Sequence, residues 1–282
     1  MVRMIDHIRR VLGYKFPPLG RRLGPIVASM ICRGKFRSEL FPAIFVDMDM
    51  GDPIQRLTYW QGNRYEAPLM RRLRDWNADG RGTAFFDIGA NYGFVSYYIS
   101  SLYPKMLVYA FEPNPGNVER LKRTKIGNDL RNFTVVGQGL SNSSGSAEFF
   151  VSAIDSGYST FGGTVADKGP GTTAIRVLLT TFDAWRKAAG LQLPDSPTWI
   201  GKMDIEGYEV RALLGMEETL RRHAFKGLCV EVNPRTLGAC GNKPKDIFDL
   251  MKDYGYDAHD ADGILTQPMQ DGLQNVYFVR GG

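Results

Sequence analysis

The chain has 282 residues, 43% of them hydrophobic and 12% aromatic, with a formal net charge of +5. That much apolar material buries a sizeable core, and α/β folds of this length often form one domain, so neither a disordered chain nor an array of internal repeats describes it. The three cysteines, Cys32, Cys229 and Cys240, are odd in number and lack C-x-x-C spacing, which argues against a disulfide framework and for a reducing compartment.

Charge is uneven along the chain. The first forty residues hold nine Lys or Arg against Asp6 and Glu39, a balance of +7 that leaves −2 (5 − 7) for the remainder. Met4, Ile5, Ile8, Val11 and Leu12 fall at helical spacing with Arg3, Arg9 and Arg10 between them. Such a basic amphipathic helix can make peripheral contact with an anionic membrane or dock a partner. The plainer reading, preferred here, is a helix packed on the core with a solvated basic face. Leu23 to Cys32 is about half as long as the ~20 residues a spanning helix needs, and it lacks the layout of a signal peptide. The expectation is a soluble, cytoplasmic protein with a basic helical extension over 1–56 and a catalytic domain over 57–282.

The first strong chemical signal follows the apolar run Ala84-Phe85-Phe86. Asp87-Ile88-Gly89-Ala90-Asn91-Tyr92-Gly93 reads as a tight turn, with a helix starting near Phe94. Strand, glycine turn and helix in that order bring backbone N–H groups up to a ligand. The next run, Met106 to Phe111, closes on Glu112, where an acid holds a nucleoside ribose in doubly wound folds. A dinucleotide fingerprint needs G-x-G-x-x-G, but Gly89 and Gly93 are spaced G-x-x-x-G, and the charge of Asp87 would repel a phosphate. S-adenosylmethionine carries an ammonium, a sulfonium and a ribose but no phosphate, and it suits these carboxylates. The competing reading is an ordinary turn with a solvated acid.

Further along, strands and helices alternate, the pattern of a mostly parallel sheet covered on both faces. A helix is expected over 113–125. Strands are expected over 133–136, 147–151, 175–179, 199–203, 227–232 and 275–279. Asp155 to Thr173, rich in glycine, reads as a substrate-binding lid or a mobile connector. Right-handed crossovers bring Asp87, Glu112, Asp204 and Glu231 to one carboxyl edge of the sheet. Asp204 then lies near the sulfonium or the accepting hydroxyl, unless it only caps a helix starting at Glu206. Glu206 and Gly207 suit the sharp turn after the strand, and Glu209 reads as solvated or paired.

Three segments then carry a specific resemblance: Phe86 to Gly93, Ala110-Phe111-Glu112-Pro113-Asn114-Pro115, and Lys202-Met203-Asp204-Ile205-Glu206-Gly207-Tyr208-Glu209. Together with Tyr59 to Glu66 and Thr181-Phe182-Asp183, where Phe stands for the usual Leu, they resemble FkbM-family methyltransferases over residues 57 to 260. The resemblance implies a class I methyltransferase, a Rossmann-like doubly wound α/β fold that uses S-adenosyl-L-methionine to methylate hydroxyls of sugars or polyketides. It implies that Glu66, Asp87, Gly89, Ala90, Asn91, Gly93, Phe94, Glu112, Pro113 and Asp204 surround the cofactor.

His7, His223 and His259 adjoin none of these motifs, so the base is a carboxylate by elimination, Asp204 first and Glu231 second. With no dense acidic cluster visible, no metal site is expected. The expected acceptor is a sugar hydroxyl on a glycan or glycolipid, with Tyr59, Trp60, Tyr65, Tyr158 and Phe161 available to stack on it, although Trp60 better suits the core. Specificity is expected in Asp155–Thr173, around Tyr65 and Glu66, and after Asn233-Pro234. A polyketide hydroxyl is the alternative acceptor. Two rivals lie outside small-molecule turnover, a nucleic-acid methyltransferase and a cofactor-binding regulator. Nucleic acid is not an expected partner, since the N/D-P-P-Y/F motif of amino-methylating enzymes is missing and the catalytic half is slightly acidic.

Overall fold

The computed structural model describes residues 34–152, 159–162 and 171–281. Its first element is an antiparallel hairpin, β1 (Lys35–Phe41) and β2 (Ile44–Asp49). Ile44, Val46 and Met48 are buried and alternate with Phe45, Asp47 and Asp49, a period of two that marks a half-buried strand. Of the helical extension expected over 1–56, this part is a hairpin that shares the core of the domain. The charge of the arm had masked its alternation, and the amphipathic stretch from Met4 to Leu12 lies outside the described residues. Asp52 then caps α1 (Pro53–Gln61) by accepting from the N–H groups of Ile54 and Gln55, and α2 (Ala67–Trp76) follows.

The alternating region begins with β3 (Ala84–Ile88), α3 (Phe94–Leu102), β4 (Leu107–Phe111), α4 (Pro115–Gly127) and β5 (Phe133–Val136). A small sheet interrupts it, made of β6 (Gly139–Leu140), β7 (Gly145–Ser152) and β8 (Thr172–Thr180), so the strand pair expected around the glycine-rich loop is present. The loop itself falls mostly outside the described residues. Then come α5 (Phe182–Ala188), β9 (Trp199–Met203), α6 (Glu209–Leu214), α7 (Glu217–Arg221) and β10 (Phe225–Val232). The described chain closes with α8 (Pro234–Ala239), α9 (Pro244–Asp253), β11 (Tyr256–His259) and β12 (Gln274–Arg280).

Seven strands form the main sheet in the order β11-β12-β10-β9-β3-β4-β5. β12 runs antiparallel to both of its neighbours, and the pairs from β10 to β5 are parallel. Every residue of β3 and β9 is buried, which is why these strands read as mostly apolar runs, broken only by Asp87 and Lys202, rather than as alternating ones. Successive side chains still divide between two cores. Phe85 joins α1 to α4 and the hairpin on one face, and Phe86 joins α5 to α9 on the other. This is a doubly wound, mostly parallel α/β sheet, the architecture that the resemblance implies. Its order reverses at β3, between β4 and β9, and a crevice at the carboxyl ends of these strands is where such sheets bind ligands. Among the described residues, no helix is long and apolar enough to cross a membrane.

Candidate active site

A cavity of about 430 Å³ lies at that switch point, within the size range of small-molecule sites. Glu66, Asp87, Gly89, Ala90, Asn91, Phe94, Glu112, Pro113, Asp204 and Glu231 all line it. Gly93, the remaining residue expected there, does not. A Cβ on it would lie 2.6 Å from both Leu121 and Tyr97, and its φ is 97°, so it serves the packing beneath α3.

Asp87 is buried, and its Oδ2 accepts from the N–H of Ser96 at 3.0 Å and from the Ser96 hydroxyl at 2.6 Å. It thereby satisfies a first-turn N–H of α3, whose cap Gly93 has no side chain to do so. Its Oδ1 is buried with no hydrogen-bond partner among the described residues. Burial raises this carboxyl above its ordinary range, while Lys202, its register partner across β3 and β9, pulls it back.

Glu112 clamps two loops. Its Oε2 accepts from the N–H of Asn91 and its Oε1 from the N–H of Asn114, each at 2.8 Å. One acid therefore ties the turn after β3 to the turn after β4, and burial pushes it up to about 7 against those two hydrogen bonds. The Asn117 side chain adds a third hydrogen bond to the same carboxyl.

Gly89 has a φ of 82°, and a Cβ there would lie 1.9 Å from the carbonyl oxygen of Asp204. The end of β9 is thus pressed against the glycine turn, held by the N–H of Asp204 donating to the Ile88 carbonyl at 3.0 Å. Gly89 lines the cavity, as expected of a glycine that a ligand approaches, and the close approach of the chain at the end of β9 requires glycine there independently.

Lys202 is the residue that sequence reasoning left without a role. Its Nζ lies 3.1 Å from Oδ2 of Asp204 and donates to the Gly89 carbonyl at 3.3 Å. The signal was present in Trp199-Ile-Gly-Lys-Met203, where a lysine in a buried strand needs a partner. Neighbouring Asp204, Asp87 and Glu66 raise its pKa and outweigh burial, so it remains charged.

Asp204 does not cap a helix. α6 begins at Glu209 rather than Glu206, and the intervening turn passes through Glu206 (φ 53°) and Gly207 (φ 103°), as expected of that pair. Glu209, expected to be solvated or paired, is instead buried, and its Oε1 accepts from the N–H groups of Ile205 and Gly207 at 3.0 and 3.2 Å. Asp204, Glu206 and Glu231 bring carboxylate oxygens within 4.8 Å of one another. This is the dense acidic cluster that the sequence did not reveal, since it needs β9 beside β10. Burial and mutual repulsion raise Glu206 and Glu231, and both are carboxyls that stay protonated more readily than usual. Oxygen donors of this kind suit a hard divalent ion.

Glu66, Asn91 and Glu206 all have left-handed backbones and all line the cavity. Non-glycine residues in that region cost about 1–3 kcal/mol each and gather at functional sites. Of the aromatic residues, Tyr65 and Phe161 line the cavity, Tyr59 and Trp60 are in the core, and Tyr158 is outside the described residues. Phe161 packs against Phe149 and stacks on Tyr208, with ring centroids at 4.7 and 4.4 Å. Neither His223 nor His259 lines the cavity.

A family model described as the methyltransferase FkbM domain matches residues 87–258. The hexuronic acid methyltransferase AglP of Haloferax volcanii is 29% identical over 170 residues, 60% of this chain and 61% of that protein. The AMB antimetabolite synthetase AmbE of Pseudomonas aeruginosa is 26% identical over 229 residues, 70% of this chain and 10% of that protein. The chain thus spans less than two thirds of the length of either relative. Among solved structures, magnesium protoporphyrin IX methyltransferase of Synechocystis PCC 6803 with bound SAM has a TM-score of 0.41 and 15% identity, over 77% of this chain and 81% of that one. The FkbM match takes in the glycine turn and all four acids at the strand ends, and extends over more than half of the sequence. The chain belongs to the FkbM family of S-adenosylmethionine-dependent methyltransferases.

Proposed function

We propose that this protein methylates a hydroxyl of a sugar on a glycan or glycolipid. The observation that carries the reading is one cavity shared by Asp87 and Glu112 on β3 and after β4 and by Asp204 and Glu231 at β9 and β10. The first pair suits the cofactor. Glu112 accepts from the ribose hydroxyls and Asp87 from the ammonium of the methionine end, both acids lining the cavity. Glu66 and the turn at Gly89, Ala90 and Asn91 enclose that end, and Phe94 and Pro113 flank the ring systems.

When bound, the cofactor supplies a methyl group on a sulfonium. Asp204, steadied by Lys202, would hold the acceptor hydroxyl toward that methyl and take its proton, with the demethylated thioether as the leaving group. Glu231 is the second carboxylate within reach of the same hydroxyl. Positioning contributes the larger share, since well-oriented reactants reach effective molarities of about 10⁵ M and above, whereas a positioned base adds about 10²–10⁴-fold.

Likeness to a hexuronic acid methyltransferase supports a sugar acceptor, as does Phe161 on the cavity wall, an aromatic face for a pyranose to stack on. Likeness to an antimetabolite synthetase favours the second reading, a hydroxyl of a secondary metabolite. We place the reaction in the cytoplasm, and the basic sequence before Gly34 suits contact with an anionic bilayer where the acceptor is lipid-linked. Methyl-labelled S-adenosylmethionine supplied with oligosaccharides, polyketide hydroxyls and transfer RNA in parallel tests the assignment. Label in a sugar methyl ether is the expected result. Label in another class alone, or no turnover by protein that binds S-adenosylhomocysteine, overturns it.

A further inference from the structure

The ionisable groups inside the cavity are lopsided. Its described lining contains six carboxyl groups, on Glu66, Asp87, Glu112, Asp204, Glu206 and Glu231, against the single ammonium of Lys202. That ammonium is already engaged by Asp204 and the Gly89 carbonyl. The exposed Arg235 on α8 acts on Glu206 from outside the lining. The cofactor adds a net charge of one at most, because its carboxylate offsets one of its two cationic groups.

The cavity lining combines these acids with aromatic rings. Asp204, Glu206 and Glu231 cluster there, with Asn275 as the register partner of Glu231, and Phe149 and Phe161 line the same cavity. Carboxyl groups beside an aromatic face match a pyranose, whose adjacent hydroxyls donate to carboxyl oxygens while its C–H face stacks on a ring. An anionic substituent fits poorly. Because Glu206 and Glu231 hold their protons more readily than usual, the cost falls on the anion itself, which would leave water with no free cationic group in the described lining to pair with, a loss that disfavours binding on the order of a hundredfold.

We propose that the acceptor presents an uncharged sugar with neighbouring hydroxyls at its reacting end, and that sugars bearing a carboxylate or phosphate there are excluded. The inference rests on the glycan reading above and narrows it. It separates this chain from its Haloferax volcanii relative, whose name specifies a hexuronic acid.

The test compares kcat/KM for methyl transfer to three matched glycosides, a neutral hexoside, its 6-carboxylate and its 6-phosphate, with Mg²⁺ and with chelator. The neutral hexoside should lead by on the order of a hundredfold, in either condition, the cost of an anion left without a charged partner. Glu231→Gln should lower the rate on the hexoside and narrow the gap to the hexuronide. Glu206→Gln serves the same purpose if the first variant does not fold. Equal or better turnover of the hexuronide overturns the inference and leaves the glycan reading standing. Turnover of the hexuronide only with Mg²⁺ also overturns it, since a cation held by Asp204, Glu206 and Glu231 would then recruit the acid. If no glycoside is methylated while S-adenosylhomocysteine still binds, the glycan reading falls and the inference falls with it.

Discussion

Lys202 and Asp204 stand two residues apart at the end of β9, and the lysine Nζ bridges the Asp204 carboxylate at 3.1 Å and the Gly89 carbonyl at 3.3 Å. The contact welds the acid proposed to handle the acceptor to the turn proposed to enclose the cofactor. Both ends of the reaction thereby share one rigid support, as catalysis by alignment requires.

Asp204→Asn keeps an oxygen for Lys202 but loses the carboxylate. Cofactor affinity should stay within a few fold while kcat falls by about 10²-fold or more, an effect confined to the rate. Calorimetry with S-adenosylhomocysteine and single-turnover methyl transfer check the two halves separately. Near-normal turnover would move the role to Glu231.

Lys202→Met should act on the fold as well. Its loss leaves Asp87, Asp204 and Glu66 facing one another without a counter-charge in a largely buried site. Breaking a buried pair on one side destabilises by about 3–5 kcal/mol, with the lower end expected here because Asp204 is partly exposed. Urea denaturation of the ligand-free protein measures it. An unchanged midpoint would show that the acids relax into solvent.

Gly89→Ala separates two explanations of the same glycine. The left-handed backbone alone costs about 1–3 kcal/mol with a side chain, and the Cβ also meets the Asp204 carbonyl at 1.9 Å. Ligand-free protein should therefore lose thermal stability. Unchanged melting together with weakened cofactor binding would return the position to the ligand.

Glu112→Ala should weaken S-adenosylhomocysteine by tens of fold, since deleting one partner of a charged hydrogen bond costs about 1.5–3 kcal/mol. It also releases the N–H groups of Asn91 and Asn114, so melting should drop in the absence of ligand too. Unaltered affinity by calorimetry would remove Glu112 from the ribose site.

Glu112 and Glu209 are each pushed up to about 7 by burial, so folded protein keeps these protons where unfolded chain has lost them. Their contribution is fully present below the ordinary glutamate value of about 4.5 and is lost as the pH rises through about 7. Asp87, Glu66, Glu206 and Glu231 are raised as well and act with the same sign. Asp79, Glu218 and Asp260 are lowered, and their contribution disappears only on acidification, outside this window. Stability of the ligand-free protein to urea should therefore decline between about pH 5 and about pH 8, with a shallower slope in Glu112→Gln. A rise over that range would contradict the burial of these carboxyls.

Much of this protein is legible locally. β3 and β9 are covered on both faces, so their apolar runs announce them, and the acids that end β3, β4, β9 and β10 follow from where those runs stop. The helix starts at Phe94 and Pro115 lie close to the expected ones because glycine, proline and asparagine punctuate the chain there. Other features depend on neighbours distant in sequence. The 35–49 hairpin was hidden by the charge around it and became visible as a strand pair packed into the core. Glu209 turns inward to hold Ile205 and Gly207, and Glu206 meets Glu231 because β9 pairs with β10. Periodicity and chain punctuation are properties of adjacent residues, so the sequence by itself determined the order of elements and the edge on which the acids stand. Charge balance, burial and clash are sums over residues brought together in space, so only the tertiary structure decided which acid binds backbone, which faces the cavity and why Gly89 must be glycine.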